Sequence, residues 1–114
     1  MQISAGGAQV IGPTSGGKVL GFNTIGSSPI QVIGPNQYRT SITFHVPSTV
    51  GDILVAPMLN ANGVPITIST VLFGGGFRIF AGGTLILTGE CSGGWQALAL
   101  TGSNLSLTVM ESNV

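Results

Sequence analysis

Apolar and polar residues alternate one by one along much of this chain. In Arg39–Val46, Ile42, Phe44 and Val46 fall on one face while Thr43 and His45 fall on the other. In Leu105–Val109, Leu105, Leu107 and Val109 share a face. A period of two over such lengths predicts half-buried strands. The intervening Thr and Ser residues suit strand better than helix. The longest stretches free of Gly and Pro, Asn36–Val46 and Ser103–Val114, both carry this period, so helix is not predicted there. Val19–Phe22, Ile30–Ile33, Phe77–Ala81, Thr84–Thr88 and Trp95–Leu100 read as further strands. The inward faces nominate Phe44, Leu107 and Val109 for the core. Trp95, set among small alanines, reads as a large ring filling a core, and Cys91 as a small buried hydrophobe.

Turn signals punctuate the strands at intervals of about 8–12 residues, the spacing of an all-β sandwich or barrel. They include Gly12–Gly17, Gly34–Asn36, Pro47–Gly51, Gly74–Gly76 and Ser92–Gly94. Asn62-Gly63 predicts a type I′ hairpin turn, and Gly82-Gly83 a second hairpin between Phe77–Ala81 and Thr84–Thr88. The expected fold is all-β: an antiparallel two-sheet β-sandwich, jelly-roll-like, with about eight strands and essentially no helix.

One pentapeptide occurs twice. Gln9-Val10-Ile11-Gly12-Pro13 returns as Gln31-Val32-Ile33-Gly34-Pro35, and Leu20 and Phe22 match Ile42 and Phe44 at the same offset. Two copies do not make a solenoid, and a strand followed by a Gly-Pro turn, used twice, accounts for them. Residues 1–35 are rich in glycine and carry a single charge, Lys18. They read either as an arm that reaches a neighbour or as the first strands of the sandwich whose core is residues 36–114.

Charge narrows the function classes. The 114 residues include 19 glycines but only three Lys/Arg and three Asp/Glu, 5% charged in all, against about 25% in an ordinary soluble domain. Three dispersed cations cannot neutralise a phosphate backbone, so no nucleic-acid partner is expected. A chain 43% hydrophobic is not a disordered tail. The most apolar window, Val64–Leu87, is broken by Pro65, Arg78 and five glycines, so no membrane span is expected. The start shows no basic or apolar leader pattern, and a single cysteine forms no internal disulfide; both fit a chain made in a reducing compartment. Near-neutral proteins associate, so much of the surface is expected to lie against other subunits.

Catalytic chemistry is thinly supplied, and no enzyme, cofactor or metal site is expected. Gly12–Lys18 imitates a phosphate-binding loop, but Val19 stands where a Mg²⁺-binding hydroxyl is required and no helix follows. The glycine pairs lack a βαβ setting. His45 and Cys91 could act as base and nucleophile only if adjacent and oriented by a third group. Asp52, Glu90 and Glu111 are too dispersed in sequence for a glycosidase pair or a Ca²⁺ site. Arg39, Arg78, Glu90 and Glu111 are instead candidates for ion pairs or interface contacts, and His45 for a polar face or interface.

From Asn36 onward the chain resembles the head decoration (cement or staple) proteins of tailed phages. The resemblance rests on Asn36–His45, Gly74–Phe77, Gly82–Leu85, Gly89–Ala97 and Leu107–Val114. It implies a small β-sandwich on the outside of a phage head, clamping neighbouring major capsid subunits. It also implies a virion protein synthesised in the host bacterial cytoplasm, and no catalytic residues. Strand edges with few guarding charges point to edges covered by partners, with the chain itself as a further partner in a dimer or trimer. Residues 1–35 do not share the resemblance. A glycan- or receptor-binding sandwich of a tail fibre or spike, with a groove around Trp95 or Tyr38, is the alternative.

Overall fold

The protein is described by a computed structural model over residues 17–47, 51–89 and 91–113. These residues form eight strands and no helix: β1 (Gly17–Ile25), β2 (Ile30–Ile33), β3 (Arg39–His45), β4 (Ile53–Pro57), β5 (Phe77–Ile79), β6 (Thr84–Thr88), β7 (Trp95–Ala99) and β8 (Leu105–Asn113). One sheet, sheet A, has the order β1-β8-β3-β6; the other, sheet B, has the order β2-β7-β4-β5. Every pairing is antiparallel. β1 pairs with β8, β2 with β7, β3 with β6 and β4 with β5, so the chain is one long hairpin folded at its midpoint and rolled up. Pairing of β3 with β8 and of β4 with β7 closes the two sheets. This is the jelly-roll sandwich that the alternating pattern predicts.

The inward faces meet in one core that includes Ile42, Phe44, Ile53, Val55, Trp95, Leu107 and Val109. The Trp95 ring lies against Phe44, with centroids 5.5 Å apart, and against Phe77 at 6.2 Å, both tilted as aromatic quadrupoles favour. Cys91 is buried in the same cluster.

A second, smaller core lies on the opposite face of sheet B. Leu54, Ala56 and Leu98 point away from the main core and are roofed by Ile66 and Ile68 of the long β4–β5 connection. The Gln96 side chain fastens this roof, donating from Nε2 to the carbonyls of Pro57 and Ile66 at 3.2 and 2.7 Å. β4 and β7 are therefore covered on both faces. That explains why Ile53–Ala56 is a continuous apolar run rather than an alternating one.

Two turn expectations are corrected. Asn62-Gly63 is not a type I′ turn, because Gly63 (φ 76°) has a positive φ and Asn62 does not. The Asn60 carboxamide oxygen accepts from the N–H groups of Asn62 and Val64 and sets a different turn. Gly82-Gly83 does not close a hairpin: β5 and β6 lie in different sheets, and the turn carries the chain between layers. Its backbone bonds to Val46 on both sides, Gly82 N–H to the Val46 carbonyl and Val46 N–H to that of Gly83.

Residues 17–33 supply β1 to sheet A and β2 to sheet B. The first pentapeptide, most of the phosphate-loop-like stretch, part of the Pro47–Gly51 turn and Glu90 lie outside the described residues.

Candidate interaction surfaces

Charge is scarce, and among the described residues two charged side chains are buried against each other. Arg39, at the start of β3, and Glu111, on β8, are both buried and pair at 2.8 Å through Nε and Oε1. The rest of the guanidinium serves backbone. Nη1 donates to the carbonyls of Cys91 and Gly93, both at 2.8 Å, and Nη2 to that of Gly34 at 2.6 Å. Asn36 joins the cluster, donating from Nδ2 to Asn113 Oδ1 at 2.9 Å. One arginine thus ties the β2–β3 crossover and the segment before β7 to sheet A. Burial of an ion pair costs desolvation, and the carbonyl bonds offset part of it.

The other pair is peripheral. Arg78 on β5 donates from Nε to Asp52 Oδ2 at 3.0 Å and stacks over the Phe80 ring at 4.8 Å. Its guanidinium, helped by the Ala81 N–H, holds the Asp52 carboxyl below the ordinary 3.8, against a desolvation that pushes it up.

The outward face of sheet A is the surface these pairs leave bare. Its strand registers place side chains in rows across all four strands. Val19, Met110, Thr43 and Ile86 form the middle row; Gly17, Ser112, Ser41 and Thr88 flank it on one side, and Gly21, Thr108, His45 and Thr84 on the other. The three rows contain no Lys, Arg, Asp or Glu. Val19 is 67% exposed, Ile86 63% and Met110 39%. His45 Nδ1 shares a hydrogen bond with Thr84 Oγ1 at 2.9 Å. Nothing in the described chain roofs this face as Ile66 and Ile68 roof sheet B.

A further apolar group sits at the tip of the roofing loop. Ser69 Oγ accepts from the N–H groups of Val71 and Leu72, and the resulting turn turns Val71, Leu72 and Phe73 outward. A groove of about 630 Å³ lies at the β2 end of sheet B, between Pro35 and Gln37 on one side and Met58, Leu59 and Ser92–Gly94 on the other.

The two catalytic candidates are kept apart. His45 points outward from sheet A, while Cys91 is inside the core, so they form no dyad. Among the described residues no three His, Cys, Asp or Glu side chains cluster as metal ligands. Trp95 is enclosed and offers no stacking face, which removes it from the glycan groove of the alternative reading; Tyr38 is exposed on its turn. The sequence did not nominate the Val19–Ile86 row or the Val71–Phe73 tip. The row is the unremarked half of the alternation that revealed β3 and β8, and the tip is an apolar run bounded by glycines. Comparison with known protein families, characterised sequences and solved structures finds no match. Fold and surface together define an all-β jelly roll with a bare, uncharged sheet face.

Proposed function

We propose that this chain is a structural virion protein, a decoration or cement protein that binds the outside of a tailed-phage head and stabilises contacts between major capsid subunits. The observation that carries the reading is the outward face of sheet A. It spans four strands, its three central rows hold no charged residue, and Val19, Met110 and Ile86 are exposed along its middle. An exposed, uncharged sheet face with Val19 and Met110 side by side and Ile86 two strands on suits a protein contact. Without charges at its centre, the contact buries area with little dependence on salt. Binding only the assembled shell stabilises that shell by mass action. The sequence resemblance from Asn36 onward supplies the kind of partner.

The experiment adds purified protein to tailed-phage heads lacking their decoration protein, at low and high salt. Expected is binding of similar strength at both. A Val19→Lys/Ile86→Lys variant is expected to keep its thermal midpoint, because both side chains are exposed, and to lose binding. Failure of the native protein to bind heads at either salt overturns the proposal.

A further inference from the structure

Each sheet ends in two edge strands, β1 and β6 in sheet A and β2 and β5 in sheet B. An unprotected edge is a template for another strand, and proteins guard edges with charge, bulges or shortness. Three of these edges are guarded. β1 carries Lys18 and a register shift between Phe22 and Ile25. β2 has four residues and a shift between Gln31 and Ile33. β5 has three residues, with Arg78 in the middle. β6 differs: Thr84–Thr88 contains no charge, proline or glycine, and it pairs with β3 at five consecutive positions without a shift. Among the described residues no strand lies on its other side.

The free side of β6 presents a defined set of backbone groups. Just before the strand, the Gly83 carbonyl accepts from the Val46 N–H. Bonded positions alternate along an antiparallel ladder, so Leu85 and Leu87 bond to β3, opposite Phe44 and Ile42. Thr84, Ile86 and Thr88 then turn their N–H and carbonyl groups to the free edge. The side chains of these three are exposed on the outward face, whereas Leu85 and Leu87 point inward and are only half-buried against the main core.

The strand is also a palindrome, Thr-Leu-Ile-Leu-Thr. We propose that β6 is the interface of a two-fold dimer, in which the β6 strands of two copies pair antiparallel with Ile86 opposite Ile86. In that register Thr84 lies opposite Thr88 of the second copy, and Leu85 opposite Leu87. Thr84, Ile86 and Thr88 each exchange both backbone bonds with the residue opposite, which leaves no edge group of the strand unpaired. Like meets like on both faces: leucines extend the two cores toward each other, and Thr and Ile meet outside. A slip of one residue would set edge groups against groups already bonded to β3 and put the leucines of one copy on the outward side of the other. A two-fold contact requires a self-complementary surface, and the palindrome supplies it. Sheet A becomes one sheet of twice the width, with both uncharged outward faces on the same side. The pairing makes no use of phage heads and stands apart from the function proposed above.

Light scattering on the size-separated full chain, over about a hundredfold concentration range, tests this. Expected is a dimer that dissociates on dilution. Thr84→Lys/Thr88→Lys sets like charges opposite each other and is expected to be monomeric throughout. Thr84→Lys/Thr88→Glu sets opposite charges there and is expected to remain dimeric. Both positions are exposed, so the circular dichroism spectrum is expected to be unchanged in each. Ile86→Pro removes an N–H that β3 does not use and is expected to be monomeric without any added charge. Exchange of the Thr84, Ile86 and Thr88 amides is slow in the dimer and fast in the like-charged variant, while the Leu85 and Leu87 amides stay slow in both; a folding defect would speed all five. A native chain that is monomeric throughout overturns the proposal. So does a dimer that survives both the like-charged variant and Ile86→Pro, or one that the oppositely charged variant abolishes.

Discussion

At the scale of single residues, the jelly roll concentrates its polar energetics on Arg39. Removing either member of the buried pair leaves the other charge without compensation, which costs about 3–5 kcal/mol. Arg39→Met and Glu111→Leu are each expected to destabilise by that amount in urea unfolding. The double variant is expected to recover part of the loss but not all of it, because the carbonyls of Gly34, Cys91 and Gly93 still lack their donor. Simple additivity of the two single losses would contradict a coupled pair. Asp52 behaves differently, since Arg78 beside it is well exposed. A carboxyl whose folded pKa is depressed adds stability above its unfolded value and loses that contribution as pH falls through the folded one. The thermal midpoint of the native protein is therefore expected to acquire an extra decline below about pH 4 that Arg78→Gln lacks. Equal acid slopes in the two proteins would show that the pair does not hold Asp52 ionised.

At the scale of elements, alternation reveals a strand only where one face is wet. β3, β6 and β8 each pack one face on the core and turn the other outward, so their period of two is legible in sequence. β8 runs on to Asn113, past the last alternating apolar residue at Val109. The inward position after Val109 is Glu111, which breaks the apolar pattern and is satisfied only by Arg39 from another strand. β4 escaped the pattern because the β4–β5 loop covers its second face. Loop geometry was the least legible, for a related reason. Gly82-Gly83 carries the residues of a hairpin, but which sheet receives the next strand is settled by packing across the whole sandwich. Their rarity marked Arg39 and Glu111 in the sequence as ion-pair candidates, but not as each other's partner, since β3 and β8 are far apart in the chain. The outward row of sheet A was hidden similarly: Val19, Met110, Thr43 and Ile86 come from four separate segments, and only the registers align them.

At the scale of the whole molecule, the nested pairing dictates an order of folding. β4 and β5 are joined by the shortest connection of the four nested pairs, and each further pair, β3–β6, β2–β7 and β1–β8, encloses the one before it. Closing a long loop costs more chain entropy than closing a short one, and an inner pair already formed shortens the loop that the next pair must close. The midpoint is therefore expected to form the nucleus and the outermost pair to dock last. Val55→Ala, in β4, is expected to slow folding more than it speeds unfolding. Leu107→Ala, in β8, is expected to act mainly by speeding unfolding, because its contacts with β1 are made after the barrier. Both side chains are fully buried, so each truncation loses enough stability, about 1–4 kcal/mol, for the rate changes to be apportioned. Stopped-flow folding and unfolding of the two variants decides the matter. Slower folding in Leu107→Ala with unfolding unchanged would place the nucleus at the β1–β8 end and reverse the order.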